Sequence, residues 1–281
     1  MNRGIVREID KMRIWKILYQ SAKYPFYGVK QLSFLGFIIL ITVSVFGYYG
    51  LFGNSLHHFL GVDYWVLLLL LLSLASLLLL IEAGYAFRMV QKSVEGIDVP
   101  PKFNKFDVMF KHGINETVLV SIYFSIPLII LYYILNYTLT PMPIIILFHL
   151  VDYLTSGLNI LTSPIPNQML FILVIFVVIL GFILDMIFTV AIPYMASKGG
   201  SFNEAFNFKE IFIKIRKIGF KRMLIAYFLV LLTIVVMGGP LLIKELSQLN
   251  IIGFIIAEGL IAPYIVMLDS RFIALLYMDS E

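Results

Sequence analysis

Leu67-Leu68-Leu69-Leu70-Leu71-Leu72 opens a run with no charged residue before Glu82 and no basic residue before Arg88. About 20 apolar residues in a helix rising about 1.5 Å per residue cross the hydrocarbon of a bilayer. That requirement organises the sequence around it. After Arg88 come a turn at Gly96 to Pro101, a short aromatic helix over Phe103 to His112, and a further hydrophobic run. The same order recurs later in the chain.

Composition generalises the point. Hydrophobic residues make up 60% of the 281 positions and charged residues 14%; mean hydropathy is +0.95. A soluble domain of this length could not hide so much apolar surface. The length suits about six spans of roughly 20 residues with connectors. There is no cysteine, which excludes disulfides and thiolate metal sites. The first 30 residues are polar and strongly charged, so no cleavable signal peptide is expected. The net charge of +4 is not read as nucleic-acid binding, because in a membrane protein the position of the basic residues carries the information.

Residues 1–32 hold Arg3, Arg7, Lys11, Arg13, Lys16, Lys23 and Lys30. Ile5, Ile9, Met12, Trp15, Tyr19 and Ala22 follow helical spacing, which predicts a helix on the membrane surface ended by Pro25. The spans then follow as Ser33 to Phe52, Tyr64 to Phe87, Thr117 to Tyr137, Met169 to Ala196, Phe220 to Ile243 and one within Ile251 to Tyr277. Interruptions are expected at Pro193, at Gly239-Pro240 and at Pro263. Thr138 to Asn167 carries four prolines and an apolar core too short to cross a bilayer, so it reads as a lid, a surface helix or a re-entrant segment. Ser201 to Ile218 is the clearest amphipathic helix. Ser201-Phe202-Asn203-Glu204 has the capping-box pattern. Asn203, Asn207, Glu210, Lys214 and Lys217 form one stripe, with Ala205, Phe208, Phe212 and Ile215 opposite.

Segments 1–32, 88–116 and 197–222 hold nearly all the Lys and Arg, whereas 53–63 and 138–167 hold none. The positive-inside rule therefore predicts a multi-pass protein of the cell membrane with both termini cytoplasmic. The fold class expected is all-α: a polytopic bundle in a single integral membrane domain with cytoplasmic interfacial helices. Three units, about 1–90, 100–198 and 200–281, share an order of interfacial helix, outward span, outer loop and returning span. The returning spans end alike, at Gly84-Tyr85, Pro193-Tyr194 and Pro263-Tyr264. A threefold repeat fits this order; so does any helical-hairpin protein with basic inner loops.

Gly84-Tyr85-Ala86-Phe87-Arg88, continued by Glu95-Gly96-Ile97-Asp98-Val99-Pro100-Pro101-Lys102-Phe103 and closed by Gly113, resembles a known family. So do Ser201-Phe202-Asn203-Glu204-Ala205-Phe206 and Arg271-Phe272-Ile273-Ala274-Leu275-Leu276-Tyr277. The family is the multi-pass membrane proteins called domain of unknown function four-thousand-and-thirteen, mostly archaeal. The resemblance implies a membrane location and a helical architecture. It implies no activity, ligand or catalytic residue.

The residues best suited to chemistry are the acids within the returning spans: Glu82, Asp185 and Glu258. An ionised carboxylate in hydrocarbon costs at least about 2.5–3.5 kcal/mol, so such a residue normally faces a bundle interior. Asp185 and Glu258 both lie about 20 Å along the helix from the next basic residue, Lys198 and Arg271 respectively, while Glu82 lies about 9 Å from Arg88. Equal depth suggests that Asp185 and Glu258 face each other. Two readings fit: a relay or binding site for a proton, cation or hydroxylated solute, or neutral acids hydrogen-bonded for packing. His57, His58, Asp63, His149 and Asp152 on the outer side suit Zn²⁺ as residue types, but ordinary exposed loops contain the same residues, and no metal or other cofactor is expected. Phe208, Phe212, Lys214, Arg216 and Lys217 fit a surface helix contacting anionic headgroups. No nucleotide loop, nucleophile elbow or His-Glu-x-x-His pattern occurs, so an enzyme is not expected. The function read from the sequence is a transporter or membrane-embedded binding protein for a small or amphipathic molecule. The alternative is a non-catalytic scaffold that organises lipid or partner proteins.

Overall fold

A backbone in hydrocarbon must satisfy its own N–H and C=O groups, and a helix does this within one segment. The chain follows that rule. The computed structural model describes residues 14–60, 64–139, 168–242 and 250–280, and no strand occurs among them. The helices are α1 (Ile14–Lys23), α2 (Val29–Leu60), α3 (Tyr64–Val94), α4 (Phe106–Leu139), α5 (Gln168–Ser197), α6 (Phe208–Ile218), α7 (Phe220–Leu242), α8 (Asn250–Ile256) and α9 (Ala262–Met278). 3₁₀ turns at Tyr24–Gly28 and Phe202–Phe206, and a π-helical turn at Ala257–Ile261, complete them.

Among the described residues, five stretches are long and apolar enough to cross a membrane: Ile14–Val45, Val66–Val94, Phe106–Ile130, Ile175–Ser197 and Gly253–Met278. Their outer faces are greasy. Leu69 and Val178 each expose 64% of their surface, which water would penalise and lipid tolerates. Serines on these faces return their hydroxyls to the preceding turn. Ser73 Oγ donates to Leu69 O at 2.6 Å and Ser76 Oγ to Leu72 O at 2.7 Å, so no donor is left facing hydrocarbon.

The chain divides into two compact units, residues 1–118 with 189–281, and residues 119–188. In the first, α2 packs along α3, and α9 packs against α1, α2 and α3. Tyr24, Leu32, Leu35, Ile39, Tyr85, Met89, Met109 and Met267 form its buried cluster. Glycines set the closest approaches. A Cβ on Gly84 would lie 1.7 Å from Met109 O, and one on Gly113 would lie 1.8 Å from Leu80 O, so α3 and α4 meet backbone to backbone at both points. In the second unit, Phe188 meets Tyr123 and Phe124 edge to face, with centroids 5.7 and 5.9 Å apart.

The turn expected after the second span is present and has a defined form. Gly96 N–H donates to Ser93 O at 3.0 Å and Ile97 N–H to Lys92 O at 2.9 Å. Gly96 takes the left-handed φ of 81°. These bonds satisfy the last carbonyls of α3 in the Schellman arrangement. α5 ends in the same way, with Gly199 N–H on Ala196 O, Gly200 N–H on Met195 O, and Gly199 at φ 72°.

Several boundaries differ from those expected. Phe103 to His112 is not a separate helix, because α4 runs unbroken from Phe106. Gly113, just past the expected end of that helix, admits Leu80 O. Likewise α2 continues through Gly53 to Leu60, over part of the expected outer loop. The helix anticipated at Ser201 splits. Ser201 makes no side-chain cap, and α6 begins only at Phe208, where Asn207 Oδ1 accepts from Glu210 N–H at 3.5 Å. Pro193 lies inside continuous helix, and helix also runs through Gly239-Pro240 to Leu242. At Pro263 the helix is interrupted, by the π turn just before it. Ile5, Ile9, Met12, Asp63, and the segment 140–167 with His149 and Asp152, lie outside the described residues, as do the side chains of His57 and His58.

Candidate functional site

Pro263 has no N–H, so the Gly259 carbonyl loses its ordinary helical donor. The chain adapts by widening: Ala262 N–H donates to Ala257 O, five residues back. Such π turns recur at functional positions in helices. Glu258 sits in this one, half-buried. Gly36 of α2 faces the same turn, and a Cβ there would lie 2.1 Å from Gly259 O. The absence of a side chain at Gly36 thus lets α2 close against the widened turn.

Glu82 lies on α3, also half-buried, within range of the charge of Glu258, and α9, which continues from the Glu258 turn, packs against α3. The structure therefore brings together two of the three expected acids. They are not the two that depth along the helix had paired. Counting residues gives a distance from the membrane edge but no direction around the helix axis. Asp185 stands half-buried on α5 in the second unit.

Glu116 was overlooked by sequence reasoning, which assigned it to a basic connector. It belongs to α4, three positions beyond Gly113, and its Oε2 is buried with no hydrogen-bond partner among the described residues. The signal available was the spacing of Met109, Gly113 and Glu116, which places Glu116 near the face of α4 that meets α3.

The tyrosines that end the returning spans each bond a residue outside their own helix. Tyr85 OH donates to Pro101 O at 2.8 Å, and its ring stacks on Phe103 at 3.7 Å. Asn207 Nδ2 donates to Tyr194 OH at 3.4 Å. Tyr264 OH donates to Ala22 O at 2.9 Å. Each of these tyrosines is thereby tied to a segment of another expected unit, and the third tie leads back to the unit 1–90.

Residues 67–243 match the model of a family described as protein of unknown function (DUF4013). The chain belongs to this family. The DUF4013 region runs from the start of the leucine run through α7 and so includes Glu82, Asp185 and the whole of α6. Glu258 and Arg271 lie beyond it. No characterised protein and no solved structure gives a significant match.

Within the DUF4013 region, α6 presents three faces. Ile211 and Ile218 are buried, and Lys214 Nζ lies 4.8 Å from the Tyr277 ring centroid. Phe208 and Phe212 are exposed beside Arg216, with Lys217 also exposed. α1 repeats the plan: Ile14, Ile17 and Ser21 are buried, while Trp15, Tyr19, Lys16 and Lys23 are exposed. The single apolar face expected for α1 is thus divided, with aliphatic residues turned to the protein and aromatic residues turned away. No group of three or more His, Asp or Glu able to hold a metal ion occurs among the described residues.

Proposed function

We propose that the chain is a proton-coupled transporter or membrane-embedded binding protein for a small or amphipathic molecule, acting through Glu82 and Glu258. The observation that carries this reading is the placement of two carboxyl groups on packed apolar helices of one unit: Glu82 on α3, and Glu258 on the π turn that Pro263 creates at the start of α9, which packs against α3. Two such groups cannot both ionise cheaply in hydrocarbon, so the pair favours holding a proton or a cation. The topology that goes with it has six spans, α7 being one of them, and both termini in the cytoplasm, as the distribution of Lys and Arg supports. The three tyrosine ties and the two glycine-ended helices support three repeated hairpins. Phe208, Phe212, Arg216 and Lys217 suit contact with anionic headgroups on the cytoplasmic leaflet.

The test is proton uptake by liposomes containing the full chain and trapped pyranine, driven by a potassium diffusion potential. The wild type is expected to acidify the lumen faster than empty liposomes, and Glu82→Gln and Glu258→Gln each to remove most of the difference. Wild-type rates in both variants would overturn the reading. A scaffold without transport is the second reading, favoured by the backbone-close packing of Gly36 on Gly259; it requires that the wild type and empty liposomes behave alike.

A further inference from the structure

A cleft of about 440 Å³ opens at the basic end of the first unit, lined by Tyr19, Lys23, Tyr24, Tyr27, Asp98 and Arg271 among others. α1 and the 3₁₀ turn after it form one wall. The connector after α3 and the body of α9 form the other. Pro100, buried, holds the connector in place; it occupies the space that a Cβ on Gly28 would need, at 2.8 Å.

Arg271 is the unusual member. It is a charged residue only 5% exposed, and burying a guanidinium is costly unless its hydrogen bonds are satisfied. Its Nη1 donates to Ile97 O at 2.9 Å, and its Nη2 pairs with Asp98 Oδ1. Asp98, however, has its side chain 78% exposed. The cation is fixed within the protein, while its anion sits on the surface of a connector. A guanidinium has five N–H donors in a planar fork, of which two are used among the described residues.

The rest of the lining points to the charge of the ligand. Lys23 Nζ lies 4.2 Å from the Tyr19 ring centroid, and the Arg271 guanidinium lies 5.3 Å from that of Tyr24. Two of the three tyrosine faces are therefore already taken by the protein's own cations, which argues against a cage for a cationic ligand. Two positive groups against one displaceable carboxylate suit an anion. The fork of Arg271 matches phosphate oxygens, Lys23 adds a point charge, and the volume suits a headgroup-sized molecule.

We propose that this cleft binds a phosphate-bearing anion, and that Asp98 is the resident carboxylate which the ligand replaces at Arg271. The phosphate belongs either to a lipid headgroup or to a free phosphate ion. Both present the same oxygens to Arg271 and Lys23. The site is separate from Glu82 and Glu258 and does not depend on transport.

The test measures equilibrium binding to the full chain in neutral detergent micelles. Three probes are used: phosphatidylglycerol, phosphatidylcholine and inorganic phosphate. Asp98→Asn removes the competing charge and is expected to tighten binding roughly tenfold, the factor associated with one charge-assisted hydrogen bond. Lys23→Met is expected to weaken it by a similar factor. Both positions are exposed, so the test does not depend on whether Arg271→Met folds. Phosphatidylglycerol bound in preference to phosphatidylcholine and not displaced by phosphate supports the site with a headgroup as ligand. Phosphate that binds and displaces lipid supports it with a free ion. Equal binding of both lipids together with no phosphate binding would overturn the proposal, as would Asp98→Asn binding no more tightly than the wild type.

Discussion

Gly36 lies directly against the carbonyl of Gly259, so close that a Cβ on Gly36 would stand 2.1 Å from the oxygen. That carbonyl is the one Pro263 deprives of its helical donor, and Glu258 is its neighbour in the turn. The contact therefore couples the packing of α2 to the shape of the segment that carries the acid.

Gly36→Ala is expected to destabilise the protein by about 1–3 kcal/mol, since backbone rather than a flexible side chain must move. Gly181→Ala provides the contrast. Nothing lies within 4 Å of a Cβ at that helical position, so alanine is expected to stabilise by up to about 1 kcal/mol. Thermal unfolding in detergent, followed by intrinsic fluorescence, checks both. A Gly36→Ala melting temperature equal to the wild type would show that α2 does not close on the turn.

The tyrosine ties should differ in strength. Tyr85→Phe and Tyr264→Phe each lose a hydrogen bond of normal length, at 2.8 and 2.9 Å, and are expected to cost about 1 kcal/mol apiece. Tyr194→Phe loses a longer contact of 3.4 Å and should cost less. The same unfolding assay ranks them, and Tyr194→Phe as the worst of the three would contradict the geometry.

Ion pairs offer a second contrast. Arg222 Nη1 lies 2.6 Å from Asp279 Oδ2, with side chains 20% and 7% exposed. Asp279→Ala leaves a largely buried cation and is expected to cost about 1–3 kcal/mol. Lys92 and Glu95 pair at the surface, with 36% and 44% exposure. Glu95→Ala should change stability by less than about 1 kcal/mol. Similar losses in the two variants would mean that burial does not set the value of these pairs.

The apolar runs, the Gly96 turn and the Tyr85, Tyr194 and Tyr264 endings are local, and local patterns survive in the sequence. The pairing of Glu82 with Glu258 was not legible, because helical depth fixes one coordinate and packing angle the other. The bond from Arg271 to Ile97 spans 174 positions, and no spacing rule reaches that far. Gly113 is a packing residue against Leu80 O, a contact between two helices that local spacing does not show. Ser201 has the letters of a cap and an extended backbone, at φ −68° and ψ 114°, but makes no side-chain cap, whereas Asn207 accepts from Glu210 N–H and starts α6.

The absence of cysteine makes orientation testable directly. Single cysteines at Lys102 and Lys217 in otherwise native chain should react with a membrane-impermeant maleimide only after the cells are opened. Labelling of either position from outside intact cells would reverse the proposed topology.

The central claim is that Glu82 and Glu258 act as one site. The most direct measurement is proton uptake by liposomes bearing the wild type, Glu82→Gln, Glu258→Gln and the double variant. Residues that act as a unit are strongly non-additive, so the double variant is expected to be no slower than the slower single variant. Losses that multiply, or a rate in either single variant equal to that of the wild type, would contradict it.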